Sequence, residues 1–152
     1  MPNILIKIPS ASFGGDARAT LLRHVTDAAA TAEQIPSNPK NRFTTWVVIE
    51  ESTPGLWGCG GLDMSTQVLP CVAIVYVPAG VLDAPSRAQY VQLMHAAFQK
   101  ALPGNEPRQL MTSVILQDVS DGSWGGNGVI WTLPALAKQA GYAHLQNLVA
   151  AV

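Results

Sequence analysis

The chain of 152 residues has only two cysteines, Cys59 and Cys71. So sparse a pair supplies no disulfide framework, and a reducing cytoplasm is the expected setting. Charge is scarce as well: charged residues make up 12%, with nine basic against ten acidic groups. Without a basic excess there is no footprint for a phosphate backbone, so nucleic acid is not an expected partner. No apolar run reaches the roughly 18–20 residues needed to cross a bilayer, and the N-terminus lacks a signal-peptide pattern, so no membrane partner is expected. His24, His95 and His144 stand without metal-ligand spacing, and neither a metal nor another cofactor is expected. The two glycine-rich stretches are not followed by Lys-Ser/Thr and a helix, which argues against a nucleotide phosphate loop.

Apolar residues, in contrast, are plentiful, at 48% with a mean hydropathy of +0.20. Such a chain builds one compact domain with a sizeable core, and has apolar surface left to bury between subunits. Residues 4–8 read as a buried strand ending at Pro9. From Asp16 the apolar positions Ala17, Leu21, Val25, Ala28 and Ala32 fall on one helix face, widened by Leu22 and Ala29, with Pro36 and Pro39 beyond. Residues 43–50 read as a second strand, followed by a glycine-rich loop from Pro54 to Gly61. The pattern then starts again. Val72–Val77 reads as a strand, Pro85 opens a helix with Val91, Met94, Phe98 and Ala101 on its face, and Met111–Leu116 reads as a strand before a second glycine-rich loop. A right-handed crossover makes the strands of each unit parallel. Val129–Trp131 reads as a short strand, and Pro134 opens a helix that pauses at Gly141.

The two halves also share residues. Thr45, Val47, Gly55, Trp57, Gly58 and Gly61 match Thr112, Val114, Gly122, Trp124, Gly125 and Gly128 at one offset (112 less 45, or 67 positions). Upstream, Pro9 and Arg18 match Pro78 and Arg87 at an offset of 69 (78 less 9). This many coincidences in register indicate an internal duplication. The expected organisation is a single domain of two repeats, about 2–66 and 70–133, with a C-terminal helix over 134–152.

Pro2 follows Met1 directly and precedes the first strand. Trimming Met1 would make Pro2 an N-terminal secondary amine. An α-amino group titrates near 7.7–8.0, and burial lowers that value toward the range where general bases work best. The pyrrolidine ring also fixes φ and so limits how far the lone pair wanders.

A proline after the initiator, then strand, helix, parallel strand and glycine-rich hairpin, resembles a subunit of the 4-oxalocrotonate tautomerase family. Ala19–Val25 is similar to that family's helix, and Thr45–Glu50 through Gly55–Gly61 to its second strand and hairpin. With two units in tandem, the chain is similar to the fused members of the tautomerase superfamily over roughly residues 2–131. That superfamily includes haloacrylate dehalogenases, malonate semialdehyde decarboxylase and, more distantly, macrophage migration inhibitory factor. The resemblance implies an α/β fold: a tandem βαβ repeat forming a mainly parallel four-stranded sheet with two helices, plus the C-terminal helix. It also implies a homotrimer of two-unit chains, with Pro2 as base and acid in keto–enol proton transfer on a small carbonyl or unsaturated acid. In the second unit Cys71 stands near the matching position, inside the chain, leaving at most one site per chain.

Phe13 and Trp46 occupy positions where family members acting on dicarboxylates carry arginines, and Pro78–Pro85 lacks the arginine pair that the dehalogenases carry after the second unit's first strand. The planar bidentate clamp that arginine offers a carboxylate is therefore lost there. A substrate with one carboxylate and an apolar or aromatic body fits this better. Trp57 and Trp124 match the family's site-lining aromatic, and with Trp46 they are the candidate substrate-binding residues; packing is the alternative for all three. Two rivals remain. Dehalogenation or decarboxylation would draw on strand-end acids, for which Glu50, Glu51 and Asp118 are available. A binding protein on the same scaffold is the other. Arg18 and Arg87, near the helix starts, read as exposed charges or as carboxylate binders.

Overall fold

The computed structural model describes residues 1–150. Strand β1 (Asn3–Pro9) alternates strictly, with Ile4, Ile6 and Ile8 fully buried and the residues between them half-exposed. Period-two burial is what a pleated strand with one covered face produces. Helix α1 (Asp16–Ala32) lies over that face through Leu21, Val25 and Ala29, while Leu22 turns outward. Asp16 in its first turn sits favourably at the positive end of the helix dipole.

The helix stops well before Pro36. Gln34 adopts a left-handed φ of 54° and its N–H bonds to Thr31, while the Ile35 N–H returns 2.8 Å to the Ala30 carbonyl. This Schellman motif satisfies the terminal carbonyls and leaves Glu33 as the C-cap. Pro39 opens a short helix of its own, α2 (Pro39–Arg42), capped by the Asn38 side chain. The N–H groups of Phe43, Thr44 and Thr45 bond back into that turn. Strand β2 (Trp46–Ser52) accordingly begins three residues later than its β-branched composition suggests.

The second half supplies β3 (Val68–Pro78), α3 (Ala84–Ala101) and β4 (Gln109–Val119). Asp83 and Ser86 cap α3 reciprocally. Its buried face is Tyr90, Met94, Ala97, Phe98 and Ala101; Val91 lies one step round the helix and is exposed. The sheet order is β2-β1-β3-β4, with both outer pairs parallel and the central β1–β3 pair antiparallel. It is the mainly parallel four-stranded sheet expected.

The duplication extends to register and ion pairing. Asn3 to Pro9 pair with Trp46 to Ser52, and Val72 to Pro78 pair with Ser113 to Val119, the same alignment shifted by the two offsets. Arg18 reaches Glu51 at 2.6 Å, and Arg87 reaches Asp118 at 2.6 Å. Each of these arginines ties its helix to the second strand of its own unit. The hairpins correspond too. In the second unit β5 (Trp124–Gly126) and β6 (Val129–Trp131) turn through Asn127 and Gly128, both at positive φ. In the first, a single bridge between Cys59 and Leu62 closes over Gly60 and Gly61, also at positive φ.

The C-terminal segment is not one continuous helix. Helix α4 (Leu133–Ala140) ends at Gly141, which takes a φ of 72° and packs so closely that a Cβ there would lie 2.7 Å from the Asn41 amide nitrogen. A 3-10 turn (Ala143–Leu145) and α5 (Gln146–Ala150) follow. The last two residues of the expected helix, 151–152, lie outside the described residues. Among the described residues, no helix is long and apolar enough to cross a membrane.

Phe98 and Phe13 are both fully buried, with ring centroids 6.4 Å apart where α3 meets the loop after β1. Truncating Phe98→Ala removes this contact and leaves a cavity, so unfolding stability falls by about 3–5 kcal/mol. Denaturant titration at fixed protein concentration measures it.

Candidate active site

Pro2 is buried immediately before β1, and its carbonyl accepts a hydrogen bond of 3.0 Å from the Trp46 N–H. Because β1 and β3 are antiparallel, the start of β1 lies beside the end of β3. The hairpin β5–β6, which follows β4, folds over that corner. A cleft with a water-accessible volume of about 180 Å³ opens there. On one side are Met1, Asn3 and Trp46, and on the other Trp124, Asn127 and Trp131. Trp46 is 64% exposed and Trp124 only 7%, so one ring is a free wall and the other is embedded. The Trp131 indole donates to the Gly126 carbonyl at 3.1 Å, which locks the hairpin. No charged side chain lines the cleft among the described residues; Asn3, Asn127 and Gln139 are its amide-bearing members.

Trp57 is elsewhere. It lines a small separate apolar cleft with Pro9, Pro54 and Cys59, at the opposite end of β1 from Pro2, and its indole N–H is buried without a partner. Of the four expected site residues the fold brings Trp46 and Trp124 together in this cleft, beside Met1 and Asn3, which flank Pro2. Phe13, at the other arginine position, is core. The strand-end acids are all ion-paired: Glu50 with Lys7, Glu51 with Arg18, and Asp118 with Arg87. Burial pushes the Cys71 thiol up to about 12, so it remains protonated. His95 bonds the Thr112 hydroxyl at 2.7 Å, and His144 contacts the Val81 carbonyl at 2.8 Å.

The group that sequence reasoning missed lies against the Met1 amine. Glu33, the C-cap of α1, has no solvent exposure. One carboxylate oxygen accepts from the Tyr90 hydroxyl at 2.9 Å, the other from Tyr142 at 3.2 Å and from the Met1 amine at 3.1 Å. The amine also contacts the Tyr142 hydroxyl. Each partner arrives from a different element: Tyr90 from α3, and Tyr142 from the turn that Gly141 makes after α4. Desolvation raises the Glu33 carboxyl above its ordinary 4.5, against the pull of the amine and of Tyr90. Desolvation likewise holds the amine below its ordinary 8.0, against the attraction of Glu33. One signal for Glu33 exists in the sequence, since it follows Val25 and Ala29 at spacings of four on the buried helix face.

No family model and no curated protein sequence matches the chain. Solved structures do. A fused 4-OT described as a symmetric trimer is 17% identical, with a TM-score of 0.67 over 93% of this chain and 98% of that one. Pt0534, described as inactivated by 2-oxo-3-pentynoate, is 16% identical, with a TM-score of 0.68 over 84% of this chain and 94% of that one. FG41 malonate semialdehyde decarboxylase, inhibited by 3-bromopropiolate, is 14% identical, with a TM-score of 0.62 over 83% of this chain and 90% of that one. The chain therefore has the tautomerase-superfamily fold.

Stability should depend on pH through Glu33 with a definite sign. A carboxyl with a raised folded value binds its proton more tightly when folded. Its favourable contribution is complete below about 4.5 and is lost as pH climbs through the raised value. The amine runs the other way, favouring the fold above 8.0 and losing that contribution as pH falls. Tyr90→Phe removes a donor from the ionised carboxylate, so its cost of about 1–3 kcal/mol grows as pH rises and shrinks in acid. Denaturation midpoints of both chains across pH check the trend.

Proposed function

We propose that the protein is a tautomerase-like enzyme in which Pro2, freed by removal of Met1, carries a proton to and from the carbon beside a carbonyl. The observation that carries this reading is that Met1 and Asn3, the two neighbours of Pro2, line one cleft together with Trp46 and the β5–β6 hairpin. The nitrogen of Pro2 abstracts the α-proton, and the cleft's amide groups are available to donate to the enolate oxygen. Donors aimed at a developing oxyanion lower the barrier only if they are already in place. Asn3 starts a paired strand and Asn127 sits in the hairpin turn, so both are anchored by backbone structure. The uncharged lining fits a small carbonyl or unsaturated acid with an apolar or aromatic body rather than a dianion. No cofactor enters this scheme.

The reading includes a homotrimer. Helices α1 and α3 cover the face carrying Ile4, Ile6, Ile8, Ala73 and Val75. On the other face, register places Val48, Leu5, Ile74 and Ile115 in one row across all four strands. Val48 and Ile115 at its ends are about half exposed. A continuous apolar row on an uncovered sheet face calls for a partner surface, and two of the structural neighbours are described as fused 4-OT trimers. Light scattering on the purified chain should give three times the chain mass, and Ile115→Asp should reduce it to that of a single chain.

A second reading has its own observation, the Met1 amine sealed against Glu33 and Tyr142. In a chain that keeps Met1, the Pro2 nitrogen is an amide without basicity, and the cleft serves binding alone. Intact mass of untagged protein separates the two. With Met1 absent, Pro2→Ala should lower enol–keto turnover of arylpyruvates or short unsaturated acids by about 10²–10⁴-fold with the fold intact. An unchanged rate removes Pro2 from the chemistry.

A further inference from the structure

We propose that Glu33, held by Tyr90 and Tyr142, is the counter-ion of the chain's terminal amine, and that in a chain trimmed to Pro2 it controls whether the Pro2 nitrogen carries its proton. The inference rests on the Pro2 reading and names the residue that tunes it. Glu33 acts through the amine and is a positioning residue.

The geometry points there first through burial. A carboxylate without solvent is strongly destabilising unless its charge is answered. Two tyrosine hydroxyls satisfy lone pairs but bring no positive charge. Among the described residues, the only ion pair Glu33 makes is with the terminal amine, at 3.1 Å. The titratable groups facing it are Tyr90 from α3, Tyr142 and His144 from the C-terminal segment, and the amine itself. His144 acts at longer range and is anchored to the Val81 carbonyl.

The second support is position. Standard bond lengths put the Pro2 nitrogen no more than about 4 Å from the Met1 amine. Trimming therefore removes one ammonium from the pocket and creates another no farther than about 7 Å from the same carboxylate. The cleft that Met1 and Asn3 help to line opens at the same end of the chain. Pro2 so placed stands next in sequence to residues that line the cleft and near a buried carboxyl. A neighbouring carboxylate favours the charged amine, while burial favours the neutral one, and the balance between them decides whether the nitrogen carries its proton. The same balance explains why so costly a residue is held in place by two tyrosines brought from separate parts of the chain.

The test follows the terminal nitrogen directly. Untagged protein is labelled with 15N-proline and 15N-methionine, and the 15N shift of the terminal nitrogen is titrated in wild type, Glu33→Gln and Glu33→Asp. Removing the charge should lower the midpoint by at least about one unit, a tenfold change in the ionisation constant. Glu33→Asp, which keeps the charge but withdraws it by one methylene, should move it less and in the same direction, and carries the test should Glu33→Gln fail to fold. A midpoint identical to wild type in the folded variants overturns the assignment. The outcome is separate from catalysis: full turnover by Pro2→Ala would sink the tautomerase reading, whereas the titration decides the role of Glu33 alone.

Discussion

The corner at which the N-terminus enters the sheet is organised by a charge that has no water to screen it. Glu33 requires a cation and hydrogen-bond donors within contact distance, and it draws them from the first residue, from α3 and from the segment beyond α4. That requirement fixes where α1 must stop, because the Schellman turn at Gln34 leaves Glu33 facing inward. It also gives a reason for Gly141, whose left-handed backbone turns the chain so that Tyr142 can enter. Four separate stretches of sequence thus meet at one carboxylate.

Around that corner the fold is built twice. Each unit pairs its two strands in the same register and ties its helix to its second strand by an arginine–carboxylate contact. Such exposed pairs contribute little stability individually; their value is as a marker that the two units share one plan. The symmetry breaks at the strand starts. Pro2 heads a terminal strand beside a polar pocket, whereas Cys71, at the equivalent point, is interior to the chain with a thiol that burial keeps protonated. One half carries the terminal strand beside Glu33, while the other supplies the hairpin that roofs the cleft.

The cleft itself follows from sheet topology. The antiparallel pairing of β1 with β3 carries the second unit's hairpin to the beginning of the first unit's first strand, so Trp124 and Trp131 face Trp46. The first unit's hairpin is carried by the same logic to the far end of β1, and Trp57 goes with it. Equivalent residues of a repeat are therefore not equivalent with respect to one site within one chain.

Periodicity and repetition determined a great deal by themselves. The alternation of Ile4, Ile6 and Ile8, the helical spacing of Leu21, Val25 and Ala29, and the offsets of 67 and 69 specify two βαβ units, since burial of one face imposes those periods on any chain that forms the elements. The first strand was legible for the same reason. Local turn chemistry blurred the boundaries: Phe43 and Thr44 are strand-like in composition, yet their N–H groups are taken by α2. Only the tertiary structure separated Trp57 from Trp46 and Trp124, and only it assembled Glu33, Tyr90 and Tyr142. Tyr90 and Tyr142 lie 57 and 109 positions from Glu33 along the chain. No local period links residues so distant; what joins them is the need of one buried charge for partners, and that need exists only once the helices have packed.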